Sequence, residues 1–294
     1  MKSLVGCSGW SFDDWVGRFY PVDLGKRKGE WFGYYAQYFP TVEINSTFYR
    51  PPNELLVRNW VAKAKGVEGF EYSVKMPQLV THESLVKGET KKACEQSVSF
   101  EKICVEPLAS AGRLGCVLLQ LSPYFKNDGA SLESLRSVLD ALETETHDYA
   151  VEFRHRTWLD EGKREVSSAA LDTLKEFNVA SVLIDGPGFP ITKVESADHA
   201  YVRFHGRNYD IWYRDEAKED SRLNRYDYLY TEYQLRQWVP RIKEAEERTK
   251  KVRVFFNNHG FAKSARNAMQ MMDLLGVEHR QKDFKITSQN KLPA

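Results

Sequence analysis

Short apolar runs in this chain repeatedly end in the same way: a polar side chain, an apolar one, then a second polar side chain of the same parity. Thr41-Val-Glu43-Ile-Asn45, Tyr72-Ser73-Val-Lys75, Ala150-Val-Glu152-Phe-Arg154, Tyr201-Val-Arg203-Phe-His205 and Val254-Phe-Phe-Asn257-Asn258-His259 all follow it. The residue types define the chemistry on offer. Glu43, Glu152, His205 and His259 are groups that orient or activate an attacking atom and move protons. Lys75, Arg154 and Arg203 suit the oxygens of a phosphate or carboxylate. Asn45, Gln120, Asn257 and Asn258 supply hydrogen bonds to developing charge, and Trp10 and Tyr49 offer ring faces to a sugar or base.

Alternate strand residues share a face, so Glu43 and Asn45, Glu152 and Arg154, and Arg203 and His205 point together. Finding such pairs on strand after strand predicts that the strands converge on one polar centre. Its inward ring is expected to hold Glu43, Asn45, Ser73, Lys75, Gln120, Glu152, Arg154, Asp185, Arg203, His205, Asn257 and His259, with three acids facing three permanent bases. Glu43 and Glu152 would face across the mouth with room for a substrate between them, as in paired-carboxylate chemistry. The neighbouring cations are expected to keep both ionised, which leaves His205 and His259 to exchange protons near neutrality. The same cations oppose a metal, although His205, His259, Asp185 and Glu152 are ligand types. No tightly bound metal is expected, and the residues define no cofactor.

Strand-like runs near 3–9, 41–48, 70–76, 115–121, 149–154, 179–185, 200–205 and 252–257 position these residues, and helical stretches such as 31–39, 53–64, 131–142, 169–177, 232–249 and 262–275 separate most of them. Eight strand–helix units without a dividing linker predict an α/β fold, a parallel (β/α)8 barrel of the TIM type, as a single domain over 1–278 with a tail at 279–294. An open doubly wound sheet is the competing arrangement. In a barrel the polar pairs fall at the carboxyl ends of the strands, where such folds place their sites.

A net charge of +1 and a pI near 7.7 give no global attraction to nucleic acid or membrane, so any electrostatic preference is local. The four cysteines lack Cys-x-x-Cys spacing and read as ordinary buried or half-buried thiols. No secretory segment or membrane span is evident, so a cytoplasmic location is expected. Phosphate-binding Gly-rich loops, a dinucleotide fingerprint and a Gly-x-Ser-x-Gly elbow are missing, which argues against ATP, nicotinamide and α/β-hydrolase chemistry. Two long loops, Gly17–Gly29 with Arg18, Lys26, Arg27 and Lys28, and Gly206–Arg225 with Arg207, Arg214, Arg222 and Arg225, read as lids or as plain connections. Trp10, Trp15, Tyr20, Phe48, Tyr49 and Trp158 read as a stacking wall at the mouth, shared with the core.

The combination Gly6-Cys-Ser8-Gly9-Trp10, Phe19-Tyr20-Pro21, Glu43-Ile-Asn45-Ser46-Thr-Phe48-Tyr49, Lys75-Met-Pro77 with Thr81-His82, Gln120-Leu-Ser-Pro123, Glu152-Phe-Arg154-His155 with Trp158, Arg203-Phe-His205-Gly206, Arg225-Tyr-Asp-Tyr-Leu-Tyr230 and Asn257-Asn258-His259 resembles the YecE-like family, domain of unknown function 72. The resemblance runs from about residue 4 to about residue 276, with Ser122 standing where relatives usually carry a second proline. It implies a TIM-type barrel and no settled reaction. A likeness of such barrels to endonuclease IV suggests nucleic-acid processing by analogy of fold alone, and the ligands for a three-zinc cluster of that kind are not found here.

The residues together predict an enzyme of hydrolase or lyase type acting on an anionic, ring-bearing substrate: a phosphorylated sugar, a nucleotide or a nucleic-acid fragment. A nucleic-acid binding module using the basic loops, and a non-catalytic barrel fixed by an ion-pair lattice, are the alternatives.

Overall fold

In the computed structural model the described residues are 3–190, 192, 196–209 and 226–281. The expected Arg214, Arg222 and Arg225 of the second loop, and the tail beyond 281, lie outside them.

Nine strands form one all-parallel sheet: β1 Ser3–Cys7, β2 Thr41–Ile44, β3 Glu71–Lys75, β4 Leu114–Gln120, β5 Tyr149–Glu152, β6 Ala180–Ser181, β7 Leu183–Asp185, β8 His199–Phe204 and β9 Lys251–Phe256. β1 pairs with both β2 and β9, so the first and last strands close on each other. β6 and β7 are one strand interrupted at Val182. The first half pairs with β5 and the second with β8, so the sixth of the eight expected strands closes the circle. This is the expected barrel rather than an open sheet.

The helices lie outside. Apolar strand residues of the outward parity, Val5, Val42, Val74, Val117, Val151, Val202 and Val254, are fully buried beneath them, each contributing about 1.5–3 kcal/mol by its removal from water. The stretch expected as one helix over 232–249 is two, Glu232–Arg236 and Val239–Arg248, with Pro240 in the first turn of the second, where its missing N–H is tolerated. Asn53 caps the helix Glu54–Lys63 by accepting from the Leu56 amide at 2.9 Å.

The barrel interior is polar at both ends. Towards the amino ends of the strands, Arg253 donates to Glu71 at 2.5 Å and to Asp148 at 2.7 Å, while Lys251 reaches Glu71 at 2.9 Å and Lys250 reaches Asp198 at 2.5 Å. Three bases there meet three acids. Arg253 is only 2% exposed, so this matched lattice forms the floor of the barrel.

Candidate functional site

The site grows from Arg203, the inward residue near the end of β8. Its side chain is 1% exposed, and its fork runs between two carboxylates that are wholly buried. Nη2 and Nε donate to Glu43 at 2.7 and 2.9 Å, and Nη1 donates to Glu152 at 2.5 Å and to Gln120 at 3.0 Å. Tyr201, two residues earlier on the same face, donates its hydroxyl to Glu43 at 2.7 Å. Glu152 also accepts from Arg154 at 2.9 Å. Burial by itself would raise both carboxyls, but Arg203 outweighs it, holding Glu43 below the usual carboxylate range and Glu152 well below it. The two carboxylates do face each other, as their strand positions require. The guanidinium bridges them, so both carboxylates are ion-paired to Arg203 and fix its position.

His205 closes the inner side. Its Nδ1 lies 3.2 Å from the Asn257 amide nitrogen, and its Nε2 lies 3.4 Å from Glu152 and 3.5 Å from both Arg154 and Arg203. Burial, aided by Arg203 and Arg154 against the pull of Glu152, lowers His205 to about 4, so it is neutral at pH 7.

Lys75 ends β3 on the same face. Its backbone carbonyl accepts from Thr47 Oγ1 at 2.6 Å, and its Nζ sits 3.8 Å from the centroid of the Phe48 ring. The described residues give this Nζ no hydrogen bond and no ion pair. Burial first, then Arg203 and Arg154 against Glu152 and Glu43, lower it to about 7.

His82 stands beside it. It is carried by a short π-helical turn, Leu79–Ser84, and its ring meets Phe48 edge-on at 4.8 Å while Nδ1 bonds Thr81 Oγ1 at 2.9 Å. Burial and the charges of Lys75 and Arg154 lower it to about 4. π-helical turns recur at functional sites. His82 was not among the expected site residues because it lies on no strand. The signal was its place seven residues beyond the β3 end, in the Lys75-Met-Pro77 and Thr81-His82 motif.

Several expected residues are elsewhere. Asp185 belongs to the outer face. Ile184 pairs with the inward Arg203 and Asp185 with Phe204, whose ring packs outward on Trp238 at 5.0 Å. The Asp185 carboxylate accepts from Arg207 at 2.8 and 2.6 Å, from Tyr230 at 2.9 Å and from Trp238 at 2.6 Å. It clamps helix to strand and does not face the mouth. Asn258 is also outward, donating to the Tyr228 carbonyl at 2.8 Å and to Asn267 at 2.9 Å. His259 is stacked between Phe12 at 4.6 Å and Tyr226 at 5.1 Å, and burial lowers it to about 4. Its ring contacts are aromatic, and its backbone carbonyl accepts from Trp15 Nε1 at 2.8 Å.

Asn45 is half-buried and its Oδ1 is buried without a hydrogen-bond partner. Trp10 packs against Phe32 at 5.6 Å and Tyr72 at 6.3 Å, in the layer between sheet and helices. Trp15, Tyr20 and Trp158 are buried core, and Tyr49, 72% exposed, is the open ring of the expected wall.

Removing Asp185 changes the charge count. Two inward acids, Glu43 and Glu152, face three bases, Lys75, Arg154 and Arg203. Among the described residues the mouth carries one cation more than its acids, whereas the floor is matched. In the basic loop Arg27 pairs with Asp23 and Glu30 and Lys28 with Asp13 at 2.5 Å, whereas Arg18 donates to the Asp14 carbonyl and covers Phe261, and Lys26 has no ion pair among the described residues. Among the described residues no helix is long and apolar enough to cross a membrane.

Comparison with known proteins agrees with this architecture. YunF of Bacillus subtilis, a UPF0759 protein, is 28% identical over 284 residues, covering 94% of this chain and 95% of its own. YecE of Escherichia coli K12, also a UPF0759 protein, is 25% identical over 255 residues, 77% of this chain and 85% of its own. The crystal structure of a DUF72 family protein from Thermotoga maritima superposes with a TM-score of 0.80 at 32% identity, covering 94% of this chain and all of that one. A DUF72 family protein from Enterococcus faecalis, at 22% identity and a TM-score of 0.76, shares the fold. The family model described as "Protein of unknown function DUF72" matches residues 4–292, and the chain belongs to that family.

Proposed function

We propose that the barrel mouth is the active site of a hydrolase- or lyase-type enzyme whose substrate carries an anionic group, in a ring-bearing molecule such as a phosphorylated sugar or nucleotide. The observation that carries this reading is the unmatched cation: with Asp185 turned outward, Lys75 has no carboxylate of its own. An anion entering beside Lys75 and Arg154 supplies the missing charge. Arg154, its side chain 17% exposed, is the fork that meets solvent. Glu43, Glu152 and Gln120 hold Arg203 in place and thereby fix the field at the mouth. Asn257 and Glu152 fix the His205 ring, and His82, half-buried and outside the ion-pair lattice, carries the proton.

Binding of nucleic acid along the basic loop has less support, because two of its four bases, Arg27 and Lys28, are already held in ion pairs. The reading is tested by thermal shift against phosphorylated sugars, nucleotides and short oligonucleotides at low and high salt. A salt-tolerant shift from a phosphorylated small molecule, lost in Arg154→Met, supports it. A shift from oligonucleotides alone, abolished by salt and unchanged in Arg154→Met, overturns it.

A further inference from the structure

The mouth contains a nucleophile that anion binding alone does not use. Lys75 Nζ donates to nothing and pairs with nothing among the described residues, it lies 3.8 Å from the Phe48 ring centroid, its backbone is fixed by the Thr47 hydroxyl on its carbonyl, and the residue is 7% exposed. The groups facing it are Arg203 from β8, Glu152 at the end of β5 and Arg154 just beyond it, Glu43 from β2, and His82 from the turn after β3. Two guanidiniums oppose a third positive charge there, and both carboxylates are committed to those guanidiniums. A lysine desolvated beside other cations is the arrangement that turns an ammonium into an amine nucleophile.

We propose that Lys75 forms an imine with an aldehyde or ketone substrate, the substrate's anionic group being held by Arg154. This deepens the proposed function and rests on it for the location of the anion. The Nζ lone pair adds to the carbonyl carbon while the C=O π pair moves to oxygen, which takes up a proton. The resulting carbinolamine loses water as nitrogen forms the C=N bond. The balance is one amine, one carbonyl and one proton giving one iminium and one water, with no oxidant or reductant. His82, beside Lys75 and neutral at pH 7, relays the proton from solvent to the departing oxygen. The protonated imine then withdraws electrons from the adjacent carbon–carbon or carbon–hydrogen bond, which places the chemistry in the lyase half of the proposed class.

Lys75 is held at about 7, so at pH 7.5 more than half of it is neutral amine, against about one part in a thousand for an exposed lysine. The test uses pyridoxal 5′-phosphate, an aldehyde that bears a ring and a phosphate, at equimolar concentration, followed by borohydride and peptide mass mapping. Label on Lys75 at least about tenfold above that on any exposed lysine, suppressed by 50 mM sulfate and absent in Lys75→Arg, supports the inference. Label spread over exposed lysines with Lys75 unmodified overturns it, and the wild-type protein alone gives that answer should Lys75→Arg fold poorly. Sulfate binding is measured in parallel. Retained sulfate binding without Lys75 label overturns the imine and leaves the anion reading standing. Lys75 label that sulfate does not suppress, with no sulfate binding, overturns the anion reading instead.

Discussion

Replacing Arg203 by Met separates the lattice from the rest of the barrel. Glu43 and Glu152 are both fully buried, and Arg203 is the group that bridges them, with contacts of 2.7 Å to one and 2.5 Å to the other. Without it Glu43 loses its cation and keeps the Tyr201 hydroxyl, and Glu152 keeps Arg154 and the His205 ring at 3.4 Å. Breaking a buried ion pair by removing one partner costs about 3–5 kcal/mol because an uncompensated charge stays in the interior. The pH dependence provides the control. In the wild type the lowered carboxyls contribute stability that is fully present above their ordinary value of 4.5 and is lost as pH falls through the lowered values. In the variant burial acts on Glu43 with little opposition and raises its pKa, so mild acid neutralises it and relieves the penalty. Urea denaturation followed by tryptophan fluorescence at about pH 7.5 and about pH 5 is the assay. The loss is expected to be about 3–5 kcal/mol at the higher pH and to shrink by about half at the lower. Neutralising all three positions, Glu43→Gln, Arg203→Met and Glu152→Gln, is expected to recover most of it. A loss under about 1 kcal/mol, or the same loss at both pH values, refutes the lattice as drawn.

Asp185→Asn removes an acceptor shared by Arg207, Tyr230 and Trp238; it is expected to cost about 2–4 kcal/mol and to leave anion affinity at the mouth unchanged within about twofold. A tenfold change in affinity would return Asp185 to the site. His259→Phe keeps the stack on Phe12 and Tyr226 but removes a ring that burial lowers from 6.5 to about 4. Such a group contributes stability present above 6.5 and lost as pH falls towards 4, so the variant should lose about 2 kcal/mol less than the wild type between those limits. That figure is discounted from about 3 because the ring is partly exposed. Equal acid sensitivity of the two proteins would contradict it. Cys7, Cys104 and Cys116 are buried, with Cys7 pushed up to about 12 by burial, while Cys94 is half-buried; a thiol reagent should modify one cysteine in the native protein and the others only on unfolding.

The eight-strand frame was legible because polar residues interrupt apolar runs at fixed parity, and that parity places Glu43, Lys75, Glu152, Arg154, Arg203, His205 and Asn257 as the register does. It failed at Asp185. There the run Leu183-Ile184-Asp185 has no second polar residue to set the phase, and the outward partner, Trp238, is 53 residues away in sequence. The same assumption, that a polar residue at a strand end faces inward, misplaced Asn258 and His259, whose neighbours Tyr228, Asn267, Phe12 and Tyr226 come from other segments. The floor lattice was visible in principle: Arg253 lies between Val252 and Val254 in a buried strand, a charge that demands a partner, yet nothing local names Glu71 and Asp148. His82 was hidden by its π-helical turn, since helix and strand periodicities both misplace such a residue.

Among the described residues the mouth holds one cation more than its carboxylates, and we propose that an anion takes its place beside Lys75 and Arg154. Calorimetric titration with sulfate, whose charge is constant from pH 6 to pH 9, tests it most directly. Lys75 sits at about 7 in the free protein and would return towards 10.5 when sulfate rests directly on Nζ, the position taken by the carbonyl of a substrate whose own anionic group is on Arg154. Affinity should therefore fall about 100-fold between pH 6 and pH 9, with uptake of about half a proton per sulfate at pH 7, and the slope should vanish in Lys75→Met. Sulfate affinity that is flat across this range, or a slope that survives in Lys75→Met, would contradict the account.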